Sequence, residues 1–370
     1  MKTKIQSLFI GLALLAGVHS TTAQVTNLDI APAPGGQSVL YWPVSSTNYV
    51  LQTVTNLTST NWATVRTAYP VNAGEATNSA PSGFFRLQPV TVPAGMALIP
   101  AGWFTMGDTL DGESDAIPTN IFVSAFVMDV NLVTFSLWQT VYQAATTFDG
   151  YSFADAGAGK GTNHPVQTVS WYDCVKWCNA RSQLSGLTPC YYTDAKLTQV
   201  YKTGDVDAVY VNWTASGFRL PTEAEWEKAA RGGLSGCRFP WGKLISESQA
   251  NYYGSTSGYS YDRGPNGYNS IGSVGGTSPA TSPVGSFDVN GYGLYDMAGN
   301  VWQWCWDWYG TPYGQPTNTN PTGAGSGSGG RVLRGDDWDA FAADARCASR
   351  GLGGPALPSS AVGFRCVRGL

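Results

Sequence analysis

Apolar and polar positions change their period along this chain, and each change predicts a different kind of segment. Residues 5–18 form a mostly apolar run behind Lys2 and Lys4 and lead to Thr21-Thr22-Ala23, so residues 1–23 read as an export signal. Between 24 and 93, short alternating runs at 38–42, 49–54, 62–66 and 84–87 are parted by Pro, Gly, Asn and Thr clusters, which predicts a small β module. That stretch has no His or Cys, so an accessory or spacer role is expected, with Thr91-Val92-Pro93 as the joint. Three helical patterns follow. Residues 134–145 place Leu137, Trp138, Val141 and Tyr142 on one face. Residues 170–185 open with Ser170 and Asp173 at capping-box spacing, carry Trp171, Val175 and Cys178 on one stripe, and stop at Gly186. Residues 221–230 have Thr222 as N-cap with Glu225 three positions on, and Gly232-Gly233 as terminator. Beyond Gly233 the pattern predicts loop and short strand, with Gly and Ser between aromatics at 254–276 and 323–330. Connections of that kind need staples, and disulfides and a bound cation are the expected ones.

Composition narrows the classes. Only 12% of the residues are charged, against about 25% in ordinary domains, while 13% are aromatic, which argues against disorder. Lys and Arg number 21 against 25 Asp and Glu, a net charge of −4 with no basic run, so no nucleic-acid partner is expected. No later apolar run is long enough to cross a bilayer, and the chain is expected to be secreted or periplasmic, without a membrane span. In such a compartment Cys174, Cys178, Cys190, Cys237, Cys305, Cys347 and Cys366 predict disulfides with at least one thiol left over. Beyond the export segment His164 is the only histidine, and no CxxC or HxxxH spacing exists, so a zinc site is not expected. Residues 157–162 miss the spacing of a phosphate loop.

A more specific signal runs from residue 95 to the C-terminus. Met96-Ala97-Leu98-Ile99-Pro100-Ala101-Gly102-Trp103-Phe104-Thr105-Met106-Gly107 is followed by His164-Pro165-Val166 and Val169-Ser170-Trp171-Tyr172-Asp173. Then come Arg219-Leu220-Pro221-Thr222-Glu223-Ala224-Glu225-Trp226-Glu227 and Phe239-Pro240-Trp241-Gly242. Asn290-Gly291-Tyr292-Gly293-Leu294-Tyr295-Asp296-Met297, Gly299-Asn300-Val301-Trp302, Arg331-Val332-Leu333-Arg334-Gly335 and Gly363-Phe364-Arg365-Cys366 complete the series. The series resembles the formylglycine-generating enzyme, or sulfatase-modifying factor, family. The resemblance implies an α+β, loop-rich domain with a C-type-lectin-like core over 94–370, and an activity, the copper-dependent oxidation of a sulfatase cysteine to formylglycine by dioxygen. That chemistry needs two thiolates, because soft Cu(I) is held by sulfur.

In the family both cysteines lie between an Arg-Val-x-x-Gly-Gly-Ser segment and a later Cys. Here the interval reads Gly335-Asp336-Asp337-Trp338-Asp339-Ala340-Phe341-Ala342-Ala343-Asp344-Ala345-Arg346-Cys347. Ala340 stands at the expected first active-site cysteine, no second one follows inside the interval, and Asp336-Asp337 replace Gly-Ser. Copper is therefore not expected. What remains, Asp336, Asp337, Trp338, Asp339 and Phe341, reads either as a binding surface for a sugar, a cationic peptide or a cation, or as a drifted loop of solvated carboxylates.

The resemblance also implies a Cys178–Cys366 disulfide, which would close a loop of 188 residues and stabilise by roughly 4 to 5 kcal/mol. Cys347 matches a second structural cysteine whose partner position holds Ala230, and Cys305 is the replacement expected. Pairing of Cys174, Cys190 and Cys237 stays open. Calcium is implied at Asp296, the carbonyls of Gly299 and Val301, and Gln303, where Gln303 replaces a Glu; a second site falls on Asn251 and Tyr252. The expected function is that of an exported, catalytically degenerate family member acting as a binding or structural module for a protein or glycan ligand. The alternatives are an oxidoreductase using a rearranged pair from Cys174, Cys190 and Cys237, and a carbohydrate-binding protein.

Overall fold

The computed structural model describes residues 91–273, 278–311, 313, 317–325 and 329–370 in full, together with the backbone of six strands before residue 90. The expected export segment 1–23 lies outside the described residues, as do Trp42 and Trp62 in the alternating runs. The chain divides into two compact units, Met1–Thr91 with Pro100–Trp103, and Val92–Ile99 with Phe104–Leu370.

In the first unit β1 (Asp29–Ala33), β2 (Gln37–Tyr41) and β5 (Ala73–Ala76) form one antiparallel sheet in the order β1-β2-β5. β3 (Tyr49–Val54), β4 (Ala63–Thr64) and β6 (Phe84–Pro89) form another, with β3 central.

The second unit is mixed α/β, with three helices and many short strands among the described residues. β7 (Met96–Ile99) pairs with β10 (Phe126–Asp129), and β10 pairs on its other side with the last strand, β19 (Val367–Gly369). β8 (Gly102–Met106) pairs with β9 (Thr119–Val123). Helix α1 (Phe135–Phe148) is capped by Thr134, whose side chain accepts from the Leu137 N–H, and buries Trp138, Val141 and Ala145. Helix α2 (Trp171–Leu184) is capped by Ser170. Its Asp173 does not complete a capping box, because its carboxylate accepts from Ala154 N and Asp155 N and pairs with Lys176 at 2.9 Å. Helix α3 (Glu223–Ala230) has the full reciprocal box of Thr222 and Glu225.

Small ladders follow: β11 (Tyr191–Tyr192) with β12 (Tyr210–Val211), and β13 (Tyr253–Gly254) with β14 (Gly267–Tyr268). The largest sheet, in the order β17-β16-β15-β18, comprises β15 (Trp302–Trp308), β16 (Arg331–Arg334), β17 (Gly351–Gly353) and β18 (Val362–Gly363), with β18 parallel to β15.

Three apolar clusters make the core of this unit. The first joins α1 and α2 to Phe364 and Cys366, with Trp138 stacked on Trp177 at 5.6 Å. The second gathers Ile99, Met128, Trp226, Val332, Cys305 and Cys347. The third, of Phe239, Ile245, Ala250, Tyr252, Ala298, Ala342 and Ala345, underlies the segment that follows β16.

Candidate functional site

The segment after β16 is fixed by its backbone. Gly335, at φ 93°, leaves no room for a side chain, since a Cβ there would lie 2.8 Å from Trp226 and 3.0 Å from Gln303. Its carbonyl accepts from Gly299 N at 2.6 Å, Trp338 N donates to the Asn300 carbonyl at 3.2 Å, and Tyr253 N donates to the Ala340 carbonyl at 2.9 Å. These bonds turn the loop inward. Asp336, Asp337 and Trp338 are buried, whereas Asp339 and Phe341 face solvent and Ala340 is half-buried. Asp336 also adopts a left-handed conformation, φ 72°, and neither of its carboxyl oxygens has a partner. Burial, with Asp337 and Asp344 adding like charge, pushes its pKa well above the usual carboxylate range. Asp337 is pushed up to about 6 by burial, against the N–H of Asp339, which donates to it at 2.6 Å.

Over this loop lies a continuous ridge of rings. Trp338 is 6.0 Å from Tyr268, Tyr268 is 4.8 Å from Tyr253, Tyr253 is 5.5 Å from Phe341, and Phe341 is 5.9 Å from Tyr259. Tyr261 continues it at 5.7 Å, capped by the Arg238 guanidinium 4.7 Å from the ring. Tyr268 is 48% and Phe341 41% exposed, so the ridge offers ring surface to solvent. The Tyr268 hydroxyl donates to exposed Asp339 at 2.7 Å. Sequence reasoning found Trp338, Asp339 and Phe341 but not the tyrosines; the signal available was five tyrosines among the Gly and Ser of residues 252–268.

A model of the sulfatase-modifying factor enzyme 1-like domain matches residues 81–370. The chain belongs to that family. The formylglycine-generating enzyme of Thermomonospora curvata is 32% identical over 309 residues, covering 76% of this chain and 96% of that protein. The serine/threonine-protein kinase pkn1 of Chlamydia caviae is 32% identical over 295 residues, covering 74% of this chain and 38% of that one, so the chain spans under two fifths of that relative's length. Among solved structures, Treponema denticola variable protein 1 superposes with a TM-score of 0.57 at 28% identity, covering 74% of this chain and 95% of the other.

The sulfatase-modifying factor family implies copper and calcium, and the residues present can be tested against each. At the copper position a methyl group, Ala340, replaces the expected sulfur. Cys347, which ends the segment, is buried in the second cluster with Cys305, and burial pushes its thiol up to about 12 and that of Cys305 well above the ordinary value. Cys174 and Cys190, from the expected alternative pair, are buried in the first cluster rather than the third, the Cys190 thiol raised to about 11; Cys237 is half-buried. Protonated buried thiols are poor ligands and nucleophiles, so Cys347, Cys305, Cys174 and Cys190 do not fit copper, and Cys237 by itself makes no pair.

Of the calcium ligands expected, Gln303 is unsuited. Its Oε1 accepts from Trp226 Nε1 at 2.8 Å and Arg365 Nε at 2.7 Å, and its Nε2 donates to the Asp296 carbonyl. The Gly299 carbonyl accepts from Val301 N, and Asp296 accepts from Gly285 N and Asn300 Nδ2. Both amide atoms of Gln303 are therefore engaged, one of them by the Arg365 guanidinium, so it offers no free oxygen to a cation. Asn251 differs, since its Oδ1 is buried without a partner while Nδ2 donates to the Ala280 carbonyl, an arrangement that suits a hard cation beside Tyr252. The Sγ atoms of Cys178 and Cys366 lie 3.6 Å apart.

Proposed function

We propose that this protein is an exported, non-oxidising member of its family, a binding module whose ligand face is the aromatic ridge. The observation that carries the proposal is the occupancy of the expected active-site loop. Ala340 has no donor atom for a soft metal, its carbonyl is tied to Tyr253, and the neighbouring space is filled by rings. In this reading the 94–370 domain keeps a C-type-lectin-like core, residues 24–93 serve as an accessory β module, Cys178 and Cys366 are joined as a disulfide, and calcium is held at Asn251 and Tyr252.

A glycan suits the ridge better than a flat apolar partner does. Tyr268 and Phe341 offer ring faces for stacking, and Asp339 beside them is a hydroxyl acceptor. Two measurements test the proposal. Incubation of the full chain with Cu(I), dioxygen and a Cys-x-Pro-x-Arg peptide is expected to return the peptide mass unchanged; conversion to the aldehyde overturns the non-oxidising reading. On a glycan array the wild type is expected to bind, and Tyr268→Ala and Phe341→Ala to lose about tenfold or more in affinity without loss of thermal stability. Equal binding by both variants removes the ridge as the ligand face.

A further inference from the structure

β16 begins with Arg331, of which 1% is exposed. Its guanidinium carbon is 3.6 Å from the ring centroid of Trp171 and 3.7 Å from that of Trp308, with Trp306 at 5.2 Å. Indole thus covers both faces of the cation. Along its edge, Nη1 donates to the Trp306 carbonyl at 2.7 Å. Nε is buried without a partner, and Nη2 has none among the described residues.

The other fully buried arginines are different. Arg334 meets Glu227 and lies 3.7 Å from Glu223, Arg346 meets Asp111 and Glu113, and Arg365 spreads its donors over Gln303 and backbone carbonyls. Arg331 has no such acceptor on its remaining edge. Stacking on indole stabilises the charge but satisfies no N–H. Burial pushes its pKa down to about 9, while Tyr172, Asp307, Tyr191 and Asp207 act in the opposite sense. Neither carboxylate takes up the open edge: Asp307 accepts from Glu223 N at 2.7 Å through Oδ2 and leaves Oδ1 buried without a partner, and exposed Asp207 accepts from the Tyr172 hydroxyl.

Nε and Nη2 are the two parallel donors with which an arginine grips a carboxylate or another oxyanion side-on. We propose that this edge is a binding site for a small oxyanion, with Trp171 and Trp308 fixing the plane of the fork and Asp207, on the exposed turn at 203–208, as its internal competitor. The site shares no residue with the aromatic ridge and does not depend on it. Asp207 accepts from Tyr172, the neighbour of Trp171, and its charge acts on Arg331, so Asp207→Asn is the informative variant, and as an exposed substitution it leaves the core intact.

The test is titration of the full chain with sodium acetate and, separately, sodium sulfate, at ionic strength held constant with sodium chloride, read by tryptophan fluorescence and by indole N–H shifts in NMR. Saturable change is expected with at least one of the two anions and none with chloride alone; the anion that responds identifies the planar or the tetrahedral class. Asp207→Asn is expected to bind several-fold more tightly. Arg331→Lys keeps the charge but loses the fork, and is expected to bind about tenfold more weakly. Absence of a saturable response in both wild type and Asp207→Asn overturns the proposal, and so does an unchanged response in folded Arg331→Lys.

Discussion

Asp336 occupies a position whose backbone favours a residue with no side chain, and it buries a carboxyl group there without a partner. Asp336→Gly removes both penalties and is expected to stabilise the fold by about 1–2 kcal/mol at neutral pH, seen as a higher melting temperature. Acidity enters with a definite sign. The folded pKa values of Asp336 and Asp337 lie above the ordinary carboxylate value, so the stability linked to their protons is full below about pH 4. It is lost as pH rises through about 6 for Asp337, and Asp336, whose pKa is also raised by burial, acts in the same sense. Thermal melts of the wild type should therefore fall between pH 4 and neutrality, and Asp336→Gly should flatten that slope; an unchanged slope would show that these carboxyls do not hold their protons. The exchange of Gly-Ser for Asp-Asp was legible in the sequence, but its burial was not. Carboxylates are placed outside by composition alone, and what draws these inward is the hydrogen bonding of Gly335 and Trp338 to Gly299 and Asn300, residues remote in the chain.

Helix α3 shows how one short element organises charge. Its N-terminal box satisfies two backbone donors, and Thr222→Ala should cost about 1 kcal/mol. Glu227 lies inside, accepting from Gly107 N, Arg231 and Arg334. Glu227→Ala takes the buried carboxylate partner from two guanidinium groups and an amide, and should destabilise by about 3–5 kcal/mol, measured by urea unfolding. All three helices could be read from capping residues and apolar period because those signals are local. The paired two-residue strands that carry Tyr253 and Tyr268 are too short to show any period. Their places are set by contacts with residues 340–341, so the ridge emerges only once the chain is folded.

At the scale of the second unit, the last nine residues join elements far apart in the chain. Val362 and Gly363 pair with β15, Phe364 packs perpendicular to the stacked Trp138 and Trp177, Cys366 faces Cys178, Val367 exchanges both backbone bonds with Arg219, and β19 lies along β10. Peptide mapping without reductant should recover Cys178 linked to Cys366. A chain ending at residue 360 should lack the cooperative melting transition and near-ultraviolet dichroism of the full protein, and retention of both would contradict this account of the C-terminal segment. The family resemblance named Cys178 as the expected partner of Cys366, whereas the other partners and their convergence on a single strip did not show in the sequence, because pairings so distant leave no local trace. One result concerns synthesis: the core cannot close until residues 362–369 have left the ribosome, so the helices and strands made earlier wait unsealed for them.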